Sequence, residues 1–123
     1  MARSATRYTR VHMPRQGDIV RIDFSSQDGH EQKGYRPALI ISRNQYNERA
    51  STVVACPITR TRKGLPIHMD LDERTNTQGV VLCDQVRAID PIARGAVFIE
   101  SCPPDILADV VDTVIGLVEL DPL

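Results

Sequence analysis

Arg36 stands where a polar, glycine-containing stretch meets the apolar run Pro37-Ala38-Leu39-Ile40-Ile41. A guanidinium at such a junction offers five donors in a fixed fork and a permanent charge, which suits phosphate oxygens. An ion pair with Glu31 is the plainer role for the same group. Thr59 ends a second apolar run and is followed by Arg60, Arg62 and Lys63, a hydroxyl on a stiff β-branched stem beside three cations able to hold phosphates. Taken alone, Thr59 is an ordinary strand-end residue, and Gln85 is as suited to satisfying backbone groups as to reading a base. The histidines His12, His30 and His68 have rings fit for acid–base work, but nothing local pairs them. Only His30, beside Glu31 and near Arg36, is placed to assist a reaction or touch a base.

Carboxylates are scattered without ligand spacing, so no metal and no cofactor is expected. Cys56, Cys83 and Cys102 are an odd number, lie far apart and sit in or beside apolar runs, which reads as buried thiols in a reducing cytoplasm and excludes a disulfide scaffold or zinc knuckle. Aromatic residues are few and Trp is absent, so a sheet of base-stacking rings is poorly supplied. No apolar stretch is long enough for a membrane span.

Net charge is −1, which by itself argues against nucleic acid, but the charge is unevenly spread. Between Gln32 and Lys63 there are seven basic residues (Lys33, Arg36, Arg43, Arg49, Arg60, Arg62, Lys63) and one acid, Glu48; from Gly64 onward there are three basic and eleven acidic. A cationic patch and an acidic remainder follow, the first able to hold phosphates and the second limiting indiscriminate binding.

The elements that must position these groups form one unit. A chain of 123 residues supports one core. Residues 1–14, basic and without an acid, read as a loose arm, and 15–123 as the single domain. Asp18 to Phe24 alternates apolar and polar, the pattern of a half-buried strand. Ser25 to Arg36 reads as a loop, and the apolar run after Pro37 as a strand buried on both faces. Further strands are expected at Thr52 to Thr59, Ile67 to Leu71, Gly79 to Asp84 with continuation through Ile89, and Ala96 to Glu100. Six short strands with little helix between them predict a bent antiparallel sheet or small barrel, a mainly β member of the α+β class. Pro103-Pro104 then opens an amphipathic helix whose stripe, Ile106, Leu107, Val110, Val111, Val114, Ile115, Leu117 and Val118, is wide enough to pack on a second subunit as well as on the sheet.

Three segments together resemble the MazF/PemK endoribonuclease toxins: Gly17-Asp18-Ile19-Val20 with Asp23-Phe24; Glu31-Gln32-Lys33-Gly34-Tyr35-Arg36-Pro37 with the apolar strand after it; and Gly79-Val80-Val81-Leu82-Cys83-Asp84-Gln85-Val86-Arg87-Ala88-Ile89-Asp90. Pro57-Ile58-Thr59 and Lys63-Gly64-Leu65-Pro66 fit the same pattern, which spans about Pro14 to Val118. The resemblance implies an SH3-like barrel with a C-terminal helix, a homodimer, and an antitoxin protein that blocks the RNA groove. It implies a sequence-selective, metal-independent enzyme that cuts single-stranded RNA and so inhibits translation. The family's catalytic positions fall on Arg36 and Thr59, and Gln85 matches a polar position that faces RNA. Glu31, Arg60, Arg62, Lys63 and His30 are the further candidates for RNA contact. His30 stands where relatives often have a small residue, and Gln16 where some have a basic one, which bears on base preference and RNA contacts. Toxins of this barrel type also include gyrase inhibitors that act by binding protein, and a degenerate domain that only binds a partner is a third reading; fold alone does not separate them.

Overall fold

A computed structural model describes residues 7–24 and 34–123. The expected strands are present as β1 (Asp18–Asp23), β2 (Tyr35–Ile40), β3 (Val53–Thr59), β4 (His68–Asp70), β5 (Val80–Leu82), β6 (Arg87–Ile89) and β7 (Val97–Ser101), all pairing antiparallel. The strand expected to continue through Ile89 is broken by a 3-10 turn at Cys83–Gln85, so one expected strand becomes β5 and β6. The sheet runs β4-β5-β3-β2-β1-β7, with β6 added on β3. Strand β3 bends sharply: Val53 to Ala55 pairs with β6, and Ile58 and Thr59 pair with β5. That bend curls the sheet into a barrel-like but unclosed shape, as strand twist and short length favour.

Alternation along β1 sends Val20 and Ile22 to one core, shared with Ala38, Ile40 and Phe98, and Ile19 to a second, shared with Leu39, Cys56, Ile58 and Val81. The apolar end of β2 serves both, which is why Ala38, Leu39 and Ile40 are all buried. Helix α2 (Pro104–Leu117) covers the second core through Ile106 and Val110, with Leu107 and Val114 against it. The helix comes so close to the start of β1 that a Cβ on Gly17 would lie 3.1 Å from the Leu107 side chain. The wide stripe is only partly used: Ile115, Leu117 and Val118 are exposed.

One further element was not expected. A short helix α1 (Asn44–Arg49) lies between β2 and β3. It has no apolar stripe; it is fastened by the fully buried Asn47, whose Nδ2 donates to the Pro14 carbonyl at 2.9 Å and whose Oδ1 pairs with the Ser42 hydroxyl. Part of the N-terminal segment packs on the domain. Tyr8, Met13 and Pro14 are buried, and the Tyr8 hydroxyl donates to the buried Asp18 carboxylate at 2.8 Å. An aromatic ring and a buried hydrogen bond join this segment to β1.

Candidate active site

Strands β2 and β3 pair Ala38 with Pro57 and Leu39 with Cys56. Beyond that ladder lie Arg36, near the start of β2, and Thr59, at the end of β3, which are far apart in sequence. Both line one cavity of about 470 Å³. Its floor is Arg21 of β1, Pro37, Ile58 and Ile99 of β7; its walls are Thr59-Arg60-Thr61 on one side and Asn76-Thr77-Gln78 on the other. Three arginines therefore line one hollow, and none of the lining residues is a carboxylate. Such a site attracts anions over the short distance that salt leaves unscreened.

The Thr59 hydroxyl accepts a hydrogen bond from the Thr61 N–H at 3.2 Å. A hydroxyl has one donor and two acceptor lone pairs, so its proton is left to point toward an incoming oxygen. The far wall is held by Glu100, next to Ile99 on β7. Its carboxylate accepts from the Asn76 N–H at 3.0 Å, the Thr77 N–H at 2.8 Å and the Thr77 hydroxyl at 2.7 Å. Burial pushes the Glu100 carboxyl up, but these donors outweigh it and hold it below the usual range. The same segment is anchored further back by Arg74, which bridges Asp72 and Asp105 at the start of α2 at 2.8 to 3.0 Å through its terminal nitrogens. Hydrogen bonds from Arg74 lower both carboxyl groups.

The structure thus brings together three of the residues singled out by sequence, Arg36, Thr59 and Arg60. Arg62 instead pairs with Asp70 at 2.6 Å on the surface, and Lys63 and Gln85 are exposed outside the cavity lining. His30 and Glu31 lie outside the described residues. His68 is on β4, with Nε2 3.3 Å from Asp84, and is not part of the lining; His12 is exposed on the N-terminal segment. Arg21, Asn76, Thr77, Gln78 and the supporting Glu100 were not singled out, because nothing in their local sequence links them to Arg36. An arginine facing polar-side in an alternating strand was the one available hint at Arg21. The three thiols are buried and free, and burial pushes Cys56 up to about 12 and Cys83 and Cys102 up to about 11, so they remain protonated and inert. Among the described residues, no three His, Cys, Asp or Glu side chains converge as metal ligands, and no helix is long and apolar enough to cross a membrane.

Known proteins share this arrangement of strands and sequence. The chain is 38% identical over 85 residues to the endoribonuclease toxin MazF of Escherichia coli (strain K12), covering 69% of this chain and 76% of that relative. A crystal structure of MazF from Deinococcus radiodurans superposes with a TM-score of 0.77 at 38% identity, over 86% of this chain and 96% of the other. A MazE–MazF complex from the same organism superposes with a TM-score of 0.76 at 32% identity, over 89% and 98%. Residues 15–118 match the family of PemK-like, MazF-like toxins of type II toxin–antitoxin systems. On the match across nearly the whole domain and the fold it shares with these structures, the chain belongs to the PemK-like, MazF-like toxin family.

Proposed function

We propose that this chain, an endoribonuclease toxin by family, cuts single-stranded RNA at the Arg36–Thr59 cavity without a metal. The observation that carries the reading is that these two residues line one hollow together with Arg21 and Arg60 and with no carboxylate in its lining. In the reaction the RNA's own 2′-oxygen attacks the adjacent phosphorus, forming a P–O2′ bond as the P–O5′ bond breaks. The 2′-OH loses its proton and the departing 5′-oxygen gains one, leaving a 2′,3′-cyclic phosphate and a 5′-OH. Negative charge builds on the non-bridging oxygens on the way to the transition state. Arg36 serves that charge electrostatically, because its high pKa makes it a poor acid or base. Thr59 donates its free hydroxyl proton to the same phosphate, and Arg60 and Arg21 hold flanking ones. Arg62, Lys63, Gln85, His30 and Glu31 remain candidates for contacts along a longer strand.

The protein works as a homodimer through the exposed end of α2 and in the reducing cytoplasm that its free thiols suit. Its antitoxin is an acidic segment that competes with phosphate for Arg36 and Arg60; the MazE–MazF complex of the D. radiodurans relative supports such a partner. The test is incubation with a long single-stranded RNA in EDTA, which should give 2′,3′-cyclic phosphate ends. A 2′-deoxy group at the cut position should block cleavage. Cleavage of that substrate, or loss of activity in EDTA, would overturn the mechanism, and gyrase inhibition without RNA cleavage would move the function to protein binding. Antitoxin at saturation should abolish RNA binding; binding left intact would exclude direct occlusion.

A further inference from the structure

Five aromatic rings are present in the whole chain. Tyr8 and Phe98 are buried, Phe24 packs on the first core, and Tyr46 ties its hydroxyl to Thr52 beside α1. Tyr35 and Tyr46 are about equally exposed, at 46% and 44%, but only Tyr35 adjoins the cavity, immediately preceding Arg36. On β2 it shares a face with Pro37, a floor residue of the cavity, and β1 places Arg21 opposite Pro37. The Arg21 guanidinium, also on the cavity floor, lies over the Tyr35 ring at 5.8 Å from its centroid. The far end of the ring is seated as well. Gly95, at φ +61, lies so close that a Cβ there would be 3.0 Å from the Tyr35 hydroxyl and 3.4 Å from an Arg7 guanidinium nitrogen. The ring therefore has a guanidinium over one face and its tip close to Gly95, while nearly half the residue stays exposed.

We propose that Tyr35, braced by Arg21, is a stacking shelf for the nucleobase next to the scissile phosphate. This rests on the reading of the cavity as the RNA-cutting site. A ring already fixed loses little freedom when a base covers it, and a base gains a π surface flanked by cations that also draw its phosphate. One such shelf needs none of the aromatic sheet that the composition lacks. It orders the strand on one side of the cut, so it sets binding and cut-site choice rather than the chemical step.

The test combines cleavage with a direct optical readout. Tyr35→Leu should raise KM for a long mixed-sequence single-stranded RNA by about tenfold or more, leave kcat near wild-type, and redistribute the mapped cut sites. Tyr35→Phe should keep wild-type KM and cut sites. A folded Tyr35→Leu with wild-type KM and cut sites overturns the shelf. Tyr35→Phe failing as badly as Tyr35→Leu also overturns it, since the hydroxyl would then be the active part. Tyr35→Trp introduces the chain's single Trp, and single-stranded DNA of mixed sequence, which lacks the 2′-OH, can be bound without being cut. Saturable quenching of that fluorescence, matching binding followed by anisotropy of a labelled strand, supports the shelf; binding without quenching, or no binding, overturns it. Because this arm needs no turnover, an uncleaved RNA would defeat the reading of the cavity while the shelf is still decided.

Discussion

Gly79 lies directly against Thr59. A Cβ on Gly79 would overlap the Thr59 carbonyl oxygen and come within 2.7 Å of its carbonyl carbon, and the Gly79 backbone sits at φ +127. The absence of a side chain lets the end of the Asn76–Gln78 wall close onto the strand that carries the hydroxyl. Gly79→Ala should therefore both strain the backbone and displace Thr59, costing about 1 to 3 kcal/mol of stability and slowing RNA cleavage at temperatures where the variant remains folded. Urea unfolding alongside cleavage rates checks this; a variant with wild-type stability and rate would show that the close approach is unimportant.

Arg36→Ala should lower kcat by about a hundredfold to a thousandfold, the usual loss when a donor to developing transition-state charge is removed. Thr59→Ala should cost less, since a neutral hydroxyl gives a weaker hydrogen bond than a cation. If the two serve one phosphate, the double variant should lose less than the product of the single effects. Single-turnover cleavage by the three variants decides it. A folded Arg36→Ala with near wild-type rate would falsify the assignment and turn attention to His30 and Glu31.

Glu100 gives the cavity wall a pH dependence with a definite sign. Its carboxyl is held below the ordinary value in the folded chain, so its contribution is complete above the unfolded glutamate value of about 4.3 and is lost as pH falls through the lower folded value. Glu100→Gln should cost about 1 to 2 kcal/mol at pH 7, because an amide presents its own N–H groups to donors at Asn76 and Thr77. The gap to wild-type should narrow as pH falls below that window. Thermal unfolding at pH 7 and pH 3.5 measures it, and a gap that widens on acidification would contradict the sign.

The end of α2 should carry self-association. Ile115 is 51% and Val118 75% exposed, at the C-terminal end of α2 and away from the face that buries Ile106 and Val110. Charge there would be stranded in an apolar interface, so Ile115→Asp with Val118→Asp should weaken a dimer about a hundredfold or more while leaving the monomer folded. Sedimentation at micromolar concentration reads the change, and a wild-type chain that is already monomeric would remove the premise.

Much of this fold was settled locally. Alternation in Asp18–Asp23, the run after Pro37 and the three- and four-residue steps from Ile106 onward fix period and burial within a few residues, so strands and final helix are legible in one dimension. Burial of the cysteines followed in the same way from their apolar neighbours. Arg36 and Thr59 were legible through the family pattern around them, since neither residue type alone distinguishes a phosphate contact from a surface one. Helix α1 was not legible, because its anchor is the polar Asn47 bonded to Pro14 and Ser42 rather than an apolar stripe. The burial of Tyr8 and Met13 in a basic segment was equally hidden, as it depends on Asp18 and the first core being brought to them. Only the tertiary structure could add Arg21 to the floor, Asn76 to Gln78 to the wall and Glu100 behind it. Each reaches the cavity from a separate strand or loop, and strand register and bending, not sequence spacing, determine which side chains meet across a sheet.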